Sequence, residues 1–573
     1  MASALVGVDP KQFELQPAFD NLIGDVSTLE IKPVLVDVKP LATPRLVNVA
    51  KQVGIDFQWY QDKQINIASI PIHESIGGGI AVIDFDLDGW PDVYFAQGSG
   101  EPPTDQCTRS NLLYRNLQGQ FVDTTQTSDA SDRNYGSGLA AGDVNQDGFT
   151  DLYLGSLGHN RLLINNGDGT FRDATSTLGD VADRFTSSLA IGDINGDALP
   201  DLYETVYIEM EGGFKLPEIA EDGTEIQPSP LLHYAQSDRW YENRGDGTYV
   251  MREIGREIAK PGTGLGVVIT DFASDGNNEV FVGNDVRPNH FLVHTGNNQL
   301  SNAADAMGLA NGYSGVANGC MGIATGDFNR DGEIDLHVTN FSLESANLYV
   351  QTKGGGFTDL AARYGIDQAS WPMVGFGTKA VDIDRNGWLD LFVTNGHIFD
   401  MRKEGEGFQM PPQCLINRGV RFAATDVDDD SDYWNREYLG RAMTTIDYNR
   451  DGAIDLLIGH LDQPTALLKN ETPTPGSWIQ FELVGTQSER DAIGARVTVT
   501  SGDQTWTQWV TAGDGYFCSD ESVLDFGLGV DQDTVDSVQI RWPSGEQQEF
   551  PLVKTTERYL VIEGESTLNN RLP

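Results

Sequence analysis

Short apolar strands alternate with turns rich in Gly, Asp and Asn along most of the chain, and one order repeats seven times. A Gly- or Ala-rich strand comes first (GGGIAVI, GSGLAAG, SSLAIG, GLGVVIT, GCMGIATG, GFGTKAV, RAMTTI). A nine-residue acidic loop follows, then a second apolar strand such as VYFAQG, LYLGSL, VFVGND, LHVTNF, LFVTNG or LLIGHL. The loops start at Asp84, Asp143, Asp193, Asp271, Asp327, Asp382 and Asp447, at intervals of 59, 50, 78, 56, 55 and 65 residues. About 20 residues further on, most copies carry a second signal: NLLYRNLQGQF from Asn111, NRLLINNGDGTF from Asn160, DRWYENRGDGTY from Asp238, and weaker forms from Asn289, Asn347 and Gln413. An apolar strand, an Asn/Gly/Asp turn and a Phe-led strand form a hairpin signature. Each unit therefore predicts four short strands, the mark of a propeller blade. Seven units would close a ring and remove the sheet edges that a lone blade exposes.

The pattern thus predicts an all-β chain: an extended N-terminal segment over 1–44, then a seven-bladed β-propeller over 45–472. The third unit is longest because of an insert, EMEGGFKLPEIAEDGTEIQPSPLLHYAQ, whose three Pro and many charges place it as an excursion on one face. Beyond the repeats the alternation changes to WIQFELV, ARVTVTS, TWTQWVTA, SVQIRWP and RYLVIE. That predicts a small antiparallel β-sandwich of about seven strands over 473–563, followed by a tail over 564–573. Arg490 and Asp491 are expected to form an internal ion pair, with a ligand contact as the alternative. Trp506, Trp509 and Trp542 are expected to divide between core and surface; a sugar platform is the competing reading.

Charge changes the picture. The formal net charge is −47, which excludes nucleic acid or an anionic membrane as a partner drawn by bulk electrostatics. Loop spacing decides between a merely solvating acidic surface and gathered ligands. Positions 1, 3, 5 and 9 can turn their side chains onto one ion, together with the carbonyl of position 7, while Gly at position 6 makes the sharp turn. The candidate ligands are Asp84, Asp86, Asp88 and Asp92; Asp143, Asn145, Asp147 and Asp151; Asp193, Asn195, Asp197 and Asp201; Asp271, Asp275 and Glu279; Asp327, Asn329, Asp331 and Asp335; Asp382, Asp384, Asn386 and Asp390; and Asp447, Asn449, Asp451 and Asp455. Oxygen-only ligands of this mixture suit Ca²⁺, and about five to seven ions per chain are expected. The loops hold 22 carboxylates at these positions, four in the first and three in each of the others. The fourth loop, with Ala273 at position 3, is expected to be weakest. Ala198 replaces Gly in the third and should strain its turn. No EF-hand is expected, because six of the seven loops lack Glu at position 12 and strands, not helices, flank them all.

Other features change less. Cys107, Cys320, Cys414 and Cys518 have no zinc spacing; free thiols and one or two long-range disulfides both remain open. No apolar run reaches membrane-span length. The N-terminus has no basic region, and its apolar run, Ala4 to Val8, is too short for a secretory signal. Arg244-Gly245-Asp246 spells an integrin-recognition tripeptide, yet it occupies the hairpin that elsewhere reads NNGDGTF, which explains it. His159, His397, His460, Asn284, Asp285, Asn340 and Asn395 follow the loops at similar distances. They are expected to serve separate turns, with a shared surface around a central channel as the alternative. No nucleophile elbow, HExxH, phosphate loop or dinucleotide fingerprint appears in a supporting context.

The repeats resemble the FG-GAP or VCBS repeats of integrin-α-type propellers. Arg490-Asp491-Ala492-Ile493-Gly494-Ala495-Arg496-Val497, Gly513-Asp514-Gly515-Tyr516, Phe526-Gly527-Leu528-Gly529 and Trp542-Pro543-Ser544-Gly545 resemble the ASPIC/UnbV domain. Together they make the chain similar to the cartilage acidic protein (CRTAC-like) family. The resemblance implies a secreted or surface-exposed calcium-binding protein. The expected function is an extracellular or cell-surface interaction and adhesion protein, not an enzyme. Its partner would be a surface protein or glycan, or a second copy of itself. The alternatives are a polysaccharide-acting hydrolase or lyase and a self-assembling structural subunit.

Overall fold

The computed structural model describes residues 38–571 apart from 41, 60–70, 101–105, 180–181, 216–228, 297, 401, 403–404, 406, 474–475 and 530. Most of the expected N-terminal segment and the middle of the third-unit insert lie outside the described residues. The chain is all-β, with a few single-turn helices such as Ile72–Ser75 and Met210–Gly213.

Among the described residues, seven four-stranded antiparallel units follow one another. The first runs Ile80–Ile83, Asp92–Phe95, Leu112–Asn116 and Phe121–Asp123. The last has only three strands of its own, Gly440–Ile446, Asp455–His460 and Ala466–Asn470; its fourth is Leu46–Asn48, with Leu46 opposite Asn470. A strand that precedes the first unit therefore completes the seventh. The first strand of each unit lies against that of the next, and the first unit against the last. Small residues are needed there because backbones nearly touch. A Cβ on Gly138 would stand 2.1 Å from Ser187 O, and one on Gly322 2.1 Å from Phe376 O.

A repeated side-chain bond joins the units. The residue that ends the third strand donates its side-chain amide to the carbonyl of loop position 2 in the preceding unit. Asn165 reaches Phe85 O (2.7 Å), Asn243 reaches Val144 O (2.9 Å), Gln351 reaches Phe272 O (2.9 Å) and Asn417 reaches Phe328 O (2.9 Å). Asn470 reaches Ile383 O (3.4 Å), and Asn116 closes the circuit on Tyr448 O (2.8 Å). The fourth unit differs: Asn278, beside its acidic loop, reaches Asp193 O (2.9 Å).

Residues 478–570 form two four-stranded sheets. One is ordered Leu524–Gly527, Trp478–Val484, Glu557–Ile562, Asn569–Asn570; the other Gln504–Trp509, Arg496–Ser501, Thr534–Arg541, Gln547–Lys554. They share one buried cluster that includes Phe481, Val497, Phe526, Val538 and Trp542. The expectation of purely antiparallel pairing fails at one place. Trp478–Val484 and Glu557–Ile562 are parallel, because the whole second sheet intervenes between them in the chain. Trp506, Trp509 and Trp542 are all buried, at 7, 6 and 0% exposure, which removes the sugar-platform reading. All four cysteines are separate buried thiols.

This C-terminal unit caps the ring and threads it. The stretch Ala512–Ser519 enters the space that the first strands enclose. Gly513 pairs with Val268, Cys518 pairs in parallel with Ile80, and Ile323 bridges Gly515. Phe517 O accepts the amide of Leu139 (3.2 Å). Lys379 Nζ reaches Asp514 (3.0 Å) and Asp520, and Asp520 accepts Thr444 Oγ1 (2.7 Å). Tyr516 and Phe517 stack at 4.0 Å, are buried at 0 and 1% exposure, and lie in one cluster with Trp59, Phe185, Tyr207 and Phe376.

Candidate metal centres

The loops joining first to second strands all lie at the end of the ring that the cap covers. Each closes through its own carboxylates. In the first, Asp84 accepts the amides of Asp88 and Gly89 (3.0 Å each), and Asp88 accepts that of Trp90 (3.0 Å). The same three bonds recur from Asp143 and Asp147, Asp193 and Asp197, Asp271 and Asp275, Asp327 and Asp331, and Asp382 and Asn386. The seventh keeps two of them, through Asp447 and Asp451. Positions 4 and 6 are left-handed, for example Leu87 at φ 55° and Gly89 at φ 87°. Ala198 adopts φ 64°, so it carries the strain expected of it.

Position 9 anchors each loop to its unit. Asp92, Asp151, Asp201, Asp335, Asp390 and Asp455 are fully buried, and Glu279 nearly so. One oxygen of Asp151 accepts the Val144 amide (3.1 Å) and the other the Asn165 amide (2.8 Å). Asp92, Asp201, Asp335, Asp390 and Asp455 repeat this pair of bonds. Glu279 is the exception: one oxygen takes both Phe272 (2.9 Å) and Ala273 (3.3 Å) amides.

These oxygens converge. Ligand atoms of Asp84, Asp86 and Asp88 lie within 4.8 Å of one another, as do those of Asp382, Asp384 and Asp390. Asn145, Asn195, Asn329 and Asn449 each accept the position-5 amide with Oδ1 (2.9, 3.0, 2.9 and 3.3 Å), and the last three also donate their amide nitrogens to Asp197, Asp331 and Asp451 (3.0, 3.2 and 2.8 Å). Burial first, then mutual repulsion, raises the acids. Asp84, Asp143, Asp193 and Asp271 are pushed up to about 6, Asp327 and Asp447 to about 7, and Asp151 to about 8. Asp201, Glu279, Asp335, Asp382, Asp390 and Asp455 lie well above the usual carboxylate range. Asp86 Oδ1 and Asp447 Oδ1 are buried without a hydrogen-bond partner. Gathered, part-dehydrated oxygens with spare lone pairs fit a hard divalent cation such as Ca²⁺.

The cap supplies groups that sequence reasoning missed. Arg490 and Asp491 do not serve an internal pair as expected. Arg490 reaches Asp143 (3.2 Å), and Asp491 accepts the Asp143 amide (2.7 Å), so both grip the second loop. Glu521 accepts the Asp447 amide (2.8 Å) and is held down to about 2, against its burial, by Arg450 and Arg558. Glu489 is 2% exposed and neither oxygen has a hydrogen-bond partner. Burial and the nearby charges of Asp193 and Asp491 drive it well above the usual range. Arg115, from the ring itself, pairs with Asp86 (2.5 Å) and Asp88 (3.1 Å).

The residues after the loops have separate partners, most in nearby turns, while Asp285 takes its partner from the preceding unit. His159 pairs with Asp183 (2.6 Å), His460 meets Tyr433 Oη (2.9 Å), and His397 accepts the Phe399 amide (3.2 Å). Asn284, Asn340 and Asn395 bond Pro288 O (2.8 Å), Asn347 Oδ1 (2.8 Å) and Pro411 O (2.9 Å). Asp285 accepts Tyr207 Oη (2.5 Å). Asp246 of the Arg-Gly-Asp stretch accepts Thr248 N (3.0 Å) and Oγ1 (2.6 Å), the turn that Asp168 and Thr170 also make.

Residues 84–154, 143–204, 271–338 and 327–393 match the FG-GAP-like repeat, and 485–568 match the ASPIC and UnbV family. Cartilage acidic protein 1 of Mus musculus is 24% identical over 331 residues, covering 56% of this chain and 48% of the relative. The Homo sapiens protein is 24% identical over 309 residues, covering 52% and 44%. The chain thus carries FG-GAP-like repeats and an ASPIC/UnbV domain, and it is similar to the cartilage acidic protein (CRTAC-like) family. Its matched stretch spans about half the length of those CRTAC relatives. Among solved structures, a lectin of Agrocybe aegerita that recognises non-reducing terminal N-acetylglucosamine aligns at 13% identity. That alignment covers 71% of this chain and 94% of the lectin, with a TM-score of 0.36.

Proposed function

We propose that this CRTAC-like chain is a calcium-binding, seven-bladed β-propeller capped by a β-sandwich. In this reading it acts outside the cell or at its surface as an interaction protein. The observation that carries the reading is the convergence of buried loop carboxylates, clearest at Asp84, Asp86 and Asp88 and at Asp382, Asp384 and Asp390. Calcium is structural: it would cancel repulsion between loop acids and tie each loop to strands and cap.

The free end of the ring is the face for a partner. The cap covers one end. The loops of the other end, joining second to third strands and each unit to the next, carry Tyr234, Tyr313, Leu343 and Trp371 at 78, 61, 56 and 48% exposure. Apolar side chains exposed at one end of a strongly acidic protein favour a protein or glycan surface as partner. An enzymatic role is not favoured, because Tyr516 and Phe517 fill the centre and the channel-side His and Asp groups are engaged in turns. No helix among the described residues is long and apolar enough to cross a membrane. Equilibrium dialysis against Ca²⁺ tests the reading: about five to seven ions per chain are expected, and fewer than about two would overturn it.

A further inference from the structure

Six of the seven loops keep their fifth position in water, at exposed Asp88, Asp147, Asp197, Asp275, Asp331 and Asp451. The sixth does not. Asp382, Asp384, Asn386 and Asp390 are all buried, at 6, 0, 8 and 0% exposure. It is also the loop in which the fifth position is an uncharged amide. Asn386 Oδ1 accepts the Trp388 amide (2.9 Å), and its Nδ2 is buried without a partner.

The cap is the lid. A Cβ on Gly527 would stand 1.9 Å from Asp382 Oδ2, and one on Gly387 would stand 2.6 Å from Trp506 Nε1. Gly529 donates to Arg385 O (3.0 Å). Arg330 fills the rim, with its guanidinium 5.2 Å from the Trp388 ring and 4.8 Å from the Trp506 ring. A cavity of about 120 Å³ adjoins Asp382 on the channel side. The Lys379 ammonium stands in it, paired to Asp514 and Asp520, and these locked side chains obstruct the route on that side. The lid is also tethered, because the same unit threads the ring through the Gly513 and Cys518 pairings.

Resting on the calcium reading, we infer that the sixth loop holds an occluded cation. It enters before the cap docks and leaves only when the cap lifts, whereas the first-loop ion, at half-exposed Asp84, Asp86 and Asp88, exchanges with solvent. Lifting the cap is a sub-global opening, slow compared with ion exchange at an open loop.

The test is a chelation time course. The full chain is loaded with radioactive Ca²⁺, diluted into excess EGTA and desalted at intervals. Most of the label should leave in a fast phase, and about one ion per chain should remain for on the order of hours. Asp384→Asn should remove the slow ion and spare the fast ones; Asp86→Asn should remove one fast ion and spare the slow one. Arg330→Ala, which opens the rim and removes no ligand, should speed slow release about tenfold or more, and it keeps the test decisive where Asp384→Asn folds poorly. Release of all label in the fast phase, or a slow ion indifferent to both Asp384→Asn and Arg330→Ala, would overturn the inference and leave the calcium reading intact. No bound label at zero time would overturn the calcium reading itself.

Discussion

Replacing Tyr516 by Ala removes the ring at the centre of the molecule. The side chain is fully buried, stacks on Phe517 at 4.0 Å, meets Phe376 edge-on at 5.1 Å and donates to Ile76 O (3.1 Å). Truncating a buried aromatic costs about 3–5 kcal/mol, because the cavity collapses only in part. The walls here are closely packed first strands, so the upper part of that range applies. The lost hydroxyl bond contributes about 1 kcal/mol of it. The expected loss is therefore about 4–5 kcal/mol, and about 1 kcal/mol for Tyr516→Phe. Urea unfolding, followed by Trp fluorescence and by circular dichroism, measures both. Because the stretch pairs with strands around the ring, cap and ring should unfold together with coincident probes. A loss below about 1 kcal/mol, or a cap that melts separately from an unchanged ring, would refute the threaded arrangement.

Three further outcomes are expected. Ala198→Gly relieves the left-handed strain at φ 64° and should stabilise the protein by up to about 1 kcal/mol by denaturant midpoint, provided that calcium is present. Asn165→Ala removes the bond to Phe85 O and the bond from Gly167 N to its Oδ1, both at a buried side chain. It should cost about 2–3 kcal/mol, and Asn165→Asp should not rescue it, because a carboxylate cannot donate to a carbonyl. In the chelated protein, stability should fall as pH rises from 5 to 8. Acids whose folded pKa is raised, such as Asp84, Asp143, Asp327 and Asp151, stabilise the fold below their unfolded pKa and lose this as pH climbs through about 6 to 8. His337 and His460, lowered to about 3 and 4 by burial, act in the opposite sense but are outnumbered. A rise in stability over that range, measured by urea unfolding in EGTA, would contradict the account.

Much of the ring was legible because its signals are local and repeated. The acidic loop, its Gly and the two flanking strands recur as one contiguous stretch, so register survives variation in any one copy. The strain at Ala198 could be read because the other loops have Gly there. The Asn that ends each third strand was visible as part of a hairpin signature. Its reach across to the preceding unit was not, although the recurrence of Asn at the end of that strand and just ahead of a Gly turn, at Asn116, Asn165, Asn243 and Asn417, is a signal that could have exposed it. Leu46–Asn48 carries three residues of strand and no period, so its closure of the last unit is written only in its distant partner, Ala466–Asn470. The threading of Gly513 to Cys518 was hidden for the same reason. A short Gly-rich stretch with two aromatic residues reads as a loop until the hydrophobic space around it is known. Arg490 and Asp491 read as partners of each other, because one sequence does not show that the second loop lies against them.

Thermal unfolding of the purified protein with and without EGTA, paired with metal analysis, tests the central claim most directly. The account predicts about five to seven Ca²⁺ per chain and a large fall in melting temperature on chelation, since ions that bind only the folded state stabilise it by mass action. No bound calcium and an unchanged melting temperature would reduce the loops to acidic turns and contradict it.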